Sequence, residues 1–172
     1  MYKLIIFDFD GTLASTLGPM VIIFNRLGKK YGFKPIEAHH IEILREKTAR
    51  EIAKDLKIPL WKLPSFVRQA EQALNSEIGT IQPISGVREM LEKLHIDGYK
   101  VGILTSNSIS TVEKFLSAHN LPRFDFIASS SIFGKKGGLR SIIRKHKLQK
   151  ADVIYIGDET RDIEAAHDAK IK

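Results

Sequence analysis

The chain has no cysteine in its 172 residues, which excludes disulfides and every thiolate metal site. No apolar run approaches the roughly 18 residues that a membrane helix needs, so no membrane span is expected. A continuous run of only four apolar residues precedes Asp8, too short and too acidic-ended for a signal peptide, and a cytoplasmic location is the expectation. The six histidines, His39, His40, His95, His119, His146 and His167, show no metal-ligand spacing. Acids are also in deficit, 20 against 27 bases, for a net charge of +7. The deficit concentrates between Lys135 and Lys150, a stretch with no acid at all. Such a stretch can bind nucleic acid or anionic lipid. Here Leu139, Ile142, Ile143 and His146 recur at helical spacing, and no aromatic side chain is interleaved for base stacking. A solvated basic helix face is expected, with neither nucleic acid nor a membrane as partner.

What is present is most informative at the N-terminus. Leu4-Ile5-Ile6-Phe7 runs into Asp8-Phe9-Asp10-Gly11-Thr12. Residues two apart on a strand share a side, so two carboxylates converge there, which is costly unless a cation or phosphate site requires them. An Asp-Gly hairpin is the alternative. It needs a return strand, and Leu17, Met20, Val21, Phe24, Leu27 and Tyr31 follow at helical spacing instead.

Four short continuous apolar runs read as strands covered on both faces: Leu4 to Phe7, Val101 to Leu104, Phe124 to Ala128 and Val153 to Ile156. Helical stripes lie between them. Val87, Met90, Leu91 and Leu94 form one, closed by Gly98. Ser110 to Glu113 has capping-box spacing before Val112, Phe115 and Leu116. Strand alternating with helix predicts an α/β, doubly wound, Rossmann-like parallel sheet.

Residues 15–82 break the alternation. Ala49, Ile52, Ala53 and Leu56 form one stripe, and Phe66, Ala70, Ala73, Leu74 and Ile78 another. Pro59 and Pro64 bracket a turn, with Trp61 expected in a core. A strand-to-strand crossover needs only about a dozen residues. An inserted α-helical domain over 15–82 is therefore expected, with residues 1–14 and 83–172 forming the core. Its linkers would lie at Ala14-Ser15 and near Pro83 to Gly86.

In open parallel sheets ligands bind at the carboxyl ends of the strands. The first strand ends in Asp8 and Asp10, and the second in Thr105, Ser106 and Asn107. The third leads through Ser129-Ser130-Ser131 to Gly134, Lys135 and Lys136, and the fourth ends in Gly157-Asp158-Glu159-Thr160-Arg161-Asp162. These groups suit a phosphate ester. A carboxylate attacking a phosphate must overcome repulsion, which Mg²⁺ held by Asp8, Asp158 and the Asp10 carbonyl would relieve. Asp8 is the candidate nucleophile and Asp10 the candidate acid and base.

Asp-Phe-Asp-Gly-Thr, then Leu-Thr-Ser-Asn, then a lysine, then Gly-Asp-Glu-x-x-Asp resemble the four motifs of the haloacid dehalogenase superfamily, in order and spacing. Phosphoglycolate phosphatase-like members are the most similar subgroup. The resemblance implies a phosphatase with an α-helical cap, acting on a small phosphorylated metabolite. It implies catalytic roles for Asp8, Asp10, Thr105 and Lys135, and substrate contacts from Phe9, Gly11, Thr12, Ser106 and Asn107. Mg²⁺ would lie on Asp8, Asp10 and Asp158, with Glu159 and Asp162 behind them. Lys135 is preferred over Lys136 because it follows Gly134 directly and leaves Leu139 to start the helix. An Asp at position 10 argues against halide chemistry. A phosphomutase sharing this core, or a non-catalytic binding or regulatory protein, are the alternatives. Many relatives carry an acid where Ala14 and Ser15 stand, which touches the hinge rather than the chemistry. Similar proteins also continue with another strand after the last helix, so a missing final core strand and an exposed edge on the fourth strand are expected.

Overall fold

The computed structural model describes residues 2–37, 51, 54–55, 58–59, 61–130 and 134–172. The stripe Ala49, Ile52, Ala53 and Leu56 lies outside them, as does Ser131. Four parallel strands, β1 (Leu4–Phe7), β2 (Lys100–Thr105), β3 (Phe126–Ser129) and β4 (Val153–Ile156), form one sheet in the order β3-β2-β1-β4. Phe7 lies opposite both Ile103 and Ile156, so β1, β2 and β4 end close to the same level.

Each face of the sheet is covered by helices. Leu4, Ile6, Leu104, Val153 and Tyr155 share a core with Leu139, Ile142 and Ile143 of α5 (Lys135–Lys145) and Ala165, Ala166 and Ala169 of α6 (Thr160–Ala169). Ile5, Phe7, Val101 and Ile103 alternate to the other face and are equally buried. α3 (Val87–Ile96) packs on β2, and α4 (Ile109–Ala118) packs on β3. A fully buried leucine such as Leu91 or Leu139 is worth about 1.5–3 kcal/mol relative to exposure. Gly102 sits opposite Phe126 in the ladder, and a Cβ there would stand 2.1 Å from the Phe126 ring. That ring occupies the space a side chain would need, and it packs on His146 with centroids 4.8 Å apart.

Helix ends follow local chemistry, with two departures from the sequence expectation. α3 closes with Gly98 at φ 78°, while Gly98 N–H donates to His95 O and Tyr99 N–H to Leu94 O. α4 is capped by Ser108 rather than Ser110: Ser108 is extended, and its hydroxyl accepts the Thr111 N–H at 3.1 Å. α5 starts at Lys135, four residues before Leu139, because Lys135 falls on the same buried stripe as Leu139, Ile142 and Ile143.

The chain divides into two compact units, Met1–Ser15 with Gly79–Lys172, and Thr16–Ile78. The second division falls four residues before the expected boundary at 82/83. Within the first unit, Ser15 N–H donates to Gln82 O and Ile84 N–H to Leu13 O, so the segments leading out to the insert and back are hydrogen-bonded to each other. In the second unit α1 (Leu17–Tyr31) packs on α2 (Leu63–Glu77). Its core gathers Ile36, Ile58 and Phe66, with the Phe24 and Phe33 rings 5.3 and 5.5 Å from Phe66. The Asn25 amide spans Ile36 N and O at 2.7 and 2.9 Å, tying the segment after α1 back to it. Trp61 is not in this core. It is 78% exposed, and the Lys62 ammonium lies 5.1 Å over its ring. Among the described residues no helix is long and apolar enough to cross a membrane.

Candidate active site

β1 ends where Asp8 N–H continues the ladder to Ile156 O at 2.8 Å. The chain then turns tightly: Leu13 and Ala14 N–H both donate to Phe9 O, and Gly11 N–H donates to Ala14 O. Asp8 is 4% exposed. Phe9, expected to contact substrate, instead turns its ring into the core, edge-on to Phe115 at 5.1 Å. Its side chain has no access to a ligand, so only its backbone can serve one. Gly11 takes φ 72°, and a Cβ there would stand 2.2 Å from Asp158 Oδ2. The glycine therefore makes room for a carboxylate arriving from β4. Thr12, also expected at substrate, donates its hydroxyl to Asp158 Oδ1 at 3.2 Å.

At the end of β2, Thr105 is buried and its hydroxyl accepts the Asn107 N–H at 3.0 Å. The Asn107 amide donates to Asp10 Oδ2, and the Ser129 hydroxyl donates to Asn107 O. Asn107 thereby links Asp10 to the ends of β2 and β3. Ser106 is exposed beside it.

Lys135 and Lys136 part company. The Lys135 ammonium, 10% exposed, lies 2.8 Å from Asp8 Oδ2 and 2.6 Å from Asp162 Oδ1. Lys136, one step round the helix, pairs with Asp168 at 2.8 Å in solvent. That hydrogen bond holds the Asp168 carboxyl below its usual range.

From β4, Asp158 is exposed, and its carboxylate lies within 4.8 Å of those of Asp8 and Asp162. Asp162 is 2% exposed and takes three donors: Lys135 and the Tyr155 hydroxyl (3.0 Å) on Oδ1, and the Glu159 N–H (3.1 Å) on Oδ2. Gly157 makes this possible, since a Cβ there would stand 2.3 Å from Asp162 Oδ2. The Glu159 carboxylate turns to the Arg161 guanidinium. Tyr155 escaped the sequence reading because it sits inside a buried strand; a hydroxyl among aliphatic neighbours was the available signal.

Burial pushes the Asp8 carboxyl up to about 7, against the pull of Lys135 and with the help of Asp162. Burial alone would lower the Lys135 ammonium, but Asp8 and Asp162 outweigh it and hold it above the ordinary lysine range. A desolvated carboxylate crowded by others is a place where a hard cation relieves repulsion. The donors are all oxygens, as Mg²⁺ prefers, and of the three clustered carboxylates Asp162 is already taken by three donors, which leaves Asp8 and Asp158 better suited to an ion. The residues fit that ion.

Residues 5–172 match the family model described as haloacid dehalogenase-like hydrolase. The phosphoglycolate phosphatase of Synechococcus elongatus is 33% identical over 94% of this chain and 77% of its own length. A solved haloacid dehalogenase-like structure from Bacteroides fragilis superposes with a TM-score of 0.86 at 25% identity, over 100% of this chain and 86% of that one. A hydrolase of the same kind from Streptococcus pneumoniae gives 0.83 at 23%, over 99% and 82%, a likeness of fold. The α1 and α2 insertion corresponds to the helical cap region of such proteins. A family model matched over residues 5–172, and a phosphatase relative 33% identical over 94% of the chain, leave one assignment: the chain belongs to the haloacid dehalogenase-like hydrolase family.

Proposed function

We propose that the protein is a Mg²⁺-dependent phosphatase of small phosphate monoesters that works through an aspartyl-phosphate on Asp8. The observation that carries this reading is the Asp8 carboxylate, buried at a strand end, 2.8 Å from the Lys135 ammonium and clustered with Asp158. Asp8, Asp158 and the Asp10 carbonyl would hold the ion, which supplies positive charge between the carboxylates and the phosphate when bound.

The rest follows from the side chains. Lys135 neutralises part of the phosphoryl charge that builds in the transition state, and the buried Thr105 hydroxyl lies at the end of the neighbouring strand. An Asp8 oxygen attacks phosphorus, the ester P–O bond breaks, and Asp10 gives its proton to the departing alkoxide. Asp10 is then a carboxylate. It takes a proton from water as the water oxygen attacks phosphorus, which releases inorganic phosphate and restores Asp8. Asn107, donating to Asp10 Oδ2, holds that acid in place. We further assign residues 15–82 as a cap that excludes water from the acyl-phosphate and selects the substrate.

The 33% identical phosphoglycolate phosphatase makes 2-phosphoglycolate the first ester to test. Phosphate release over a panel of small esters, with Mg²⁺ and after exhaustive chelation, decides the reading. Release that needs Mg²⁺, and that is inhibited by Ca²⁺ with its looser shell, is expected. Full activity after chelation refutes the metal assignment, and efficient hydrolysis of folded phosphoproteins refutes the cap assignment.

A further inference from the structure

Lys135 reaches its place by four rotatable bonds from the first residue of α5, and something must hold it there. Two carboxylates do so in the resting protein, Asp8 at 2.8 Å and Asp162 at 2.6 Å. They are not equivalent during the reaction. Once Asp8 carries a phosphoryl group it is an acyl-phosphate, and its carboxylate charge is gone. Asp162 is then the protein carboxylate still holding Lys135, which turns its charge to the phosphoryl oxygens.

Asp162 can serve only if its own carboxylate stays put, and Tyr155 is what the fold supplies for that. Tyr155 is buried on β4, its hydroxyl 3.0 Å from the same Oδ1 that accepts Lys135. The Lys135 ammonium also lies 5.9 Å from the centre of the Tyr155 ring. The Glu159 N–H holds the second oxygen, and the bare backbone of Gly157 lets the carboxylate lie against it. A core tyrosine whose hydroxyl needed only any acceptor would not have to meet the one that orients the site's lysine.

We propose that Tyr155 is a positioning residue for phosphoryl transfer: its hydroxyl fixes the Asp162 carboxylate, which keeps the Lys135 ammonium on the site when Asp8 loses its charge. This rests on the phosphatase reading above. The experiment compares wild type with Tyr155→Phe, which removes the hydroxyl and keeps the ring. With p-nitrophenyl phosphate and Mg²⁺, kcat should fall about tenfold while KM stays within about twofold. Thermal midpoints serve as the fold control and should lie close together. In a cycle with Asp162→Asn, the double variant should be no slower than Asp162→Asn alone, because both act through one carboxylate. An unchanged kcat, or losses that multiply in the cycle, overturns the proposal.

A second arm needs no activity. In metal-free protein, the ¹⁵N-ammonium NMR signal of Lys135 should exchange with water several-fold faster in Tyr155→Phe than in wild type. If wild type hydrolyses no ester, the phosphatase reading fails, and the exchange rates alone decide the positioning. Faster exchange supports it, and an unchanged rate overturns it.

Discussion

Replacing Lys135 by alanine removes the cation that contacts both Asp8 and Asp162 and leaves these two buried side chains without it. The side chains concerned are 10%, 6% and 2% exposed, so solvent does little to compensate. Breaking a buried pair by removing one partner costs about 3–5 kcal/mol. In a chain of this size that lowers the thermal midpoint by roughly 6–20 °C, at about 2–4 °C per kcal/mol. The loss must depend on pH. Asp8 already holds its proton up to about pH 7, and without Lys135 it will hold it higher still. At pH 5 Asp8 is neutral in both proteins and only Asp162 is left bare, so the loss is smaller; above about pH 7 Asp8 ionises beside Lys135 in wild type but not in the variant, so the loss is larger at pH 8. Mg²⁺ should restore part of it, since a cation binding the vacated carboxylates stabilises the native state by mass action. Lys136→Ala is the matched control, because its pair with Asp168 lies in solvent and is worth little. Urea unfolding of wild type and both variants in a chelator, at pH 5 and pH 8, gives the comparison. Equal effects of the two substitutions, or a Lys135→Ala loss that does not change with pH, would refute the reasoning.

Gly11→Ala puts a non-glycine residue at φ 72° and a Cβ 2.2 Å from Asp158 Oδ2. Stability should drop by about 1–2 kcal/mol in urea unfolding, and the displaced carboxylate should lower phosphate release by roughly 10²-fold. Gly102→Ala drives a methyl group into the Phe126 ring, and the loss of cooperative unfolding by circular dichroism should expose it. Asp10→Asn should keep phosphate binding in calorimetry yet slow turnover by about 10²- to 10⁴-fold. In metal-free protein the raised Asp8 pKa makes a contribution to stability that is present below the unfolded value of 3.8 and lost as pH rises through about 7. The loss is at most about 4 kcal/mol. Urea midpoints should therefore fall between pH 5 and 8 in wild type and hold flatter in Asp8→Asn. The raised Lys135 pKa acts only in strongly alkaline solution and does not enter this window.

The sheet was legible because strands covered on both faces must be apolar throughout, and Leu4–Phe7 and Val153–Ile156 stand where the apolar runs lie. β3 starts two residues later than its run. The Asp125 carboxylate accepts the Val101 N–H, and Phe124 packs edge-on to Phe7 at 6.4 Å, so apolar character there serves packing before pairing begins. The residues at the strand ends could be named from type and spacing, but their directions could not. Phe9 faces the core, Thr12 turns to Asp158 and Asn107 to Asp10, because each is set by a partner distant in sequence or by a ring behind the loop. Lys135 could have been ranked above Lys136 on periodicity alone, since 135, 139, 142 and 143 form one stripe. Trp61 is expected in a core yet is exposed, since a residue in a short turn between prolines has few directions in which to bury a ring.

Phosphate release from a small ester by Asp8→Asn, measured beside wild type in Mg²⁺, tests the central claim most directly. An amide at position 8 is a poor nucleophile and cannot form the acyl-phosphate, so turnover should vanish while the variant stays folded. Turnover near the wild-type rate in Asp8→Asn would contradict the covalent mechanism and the assignment of the site.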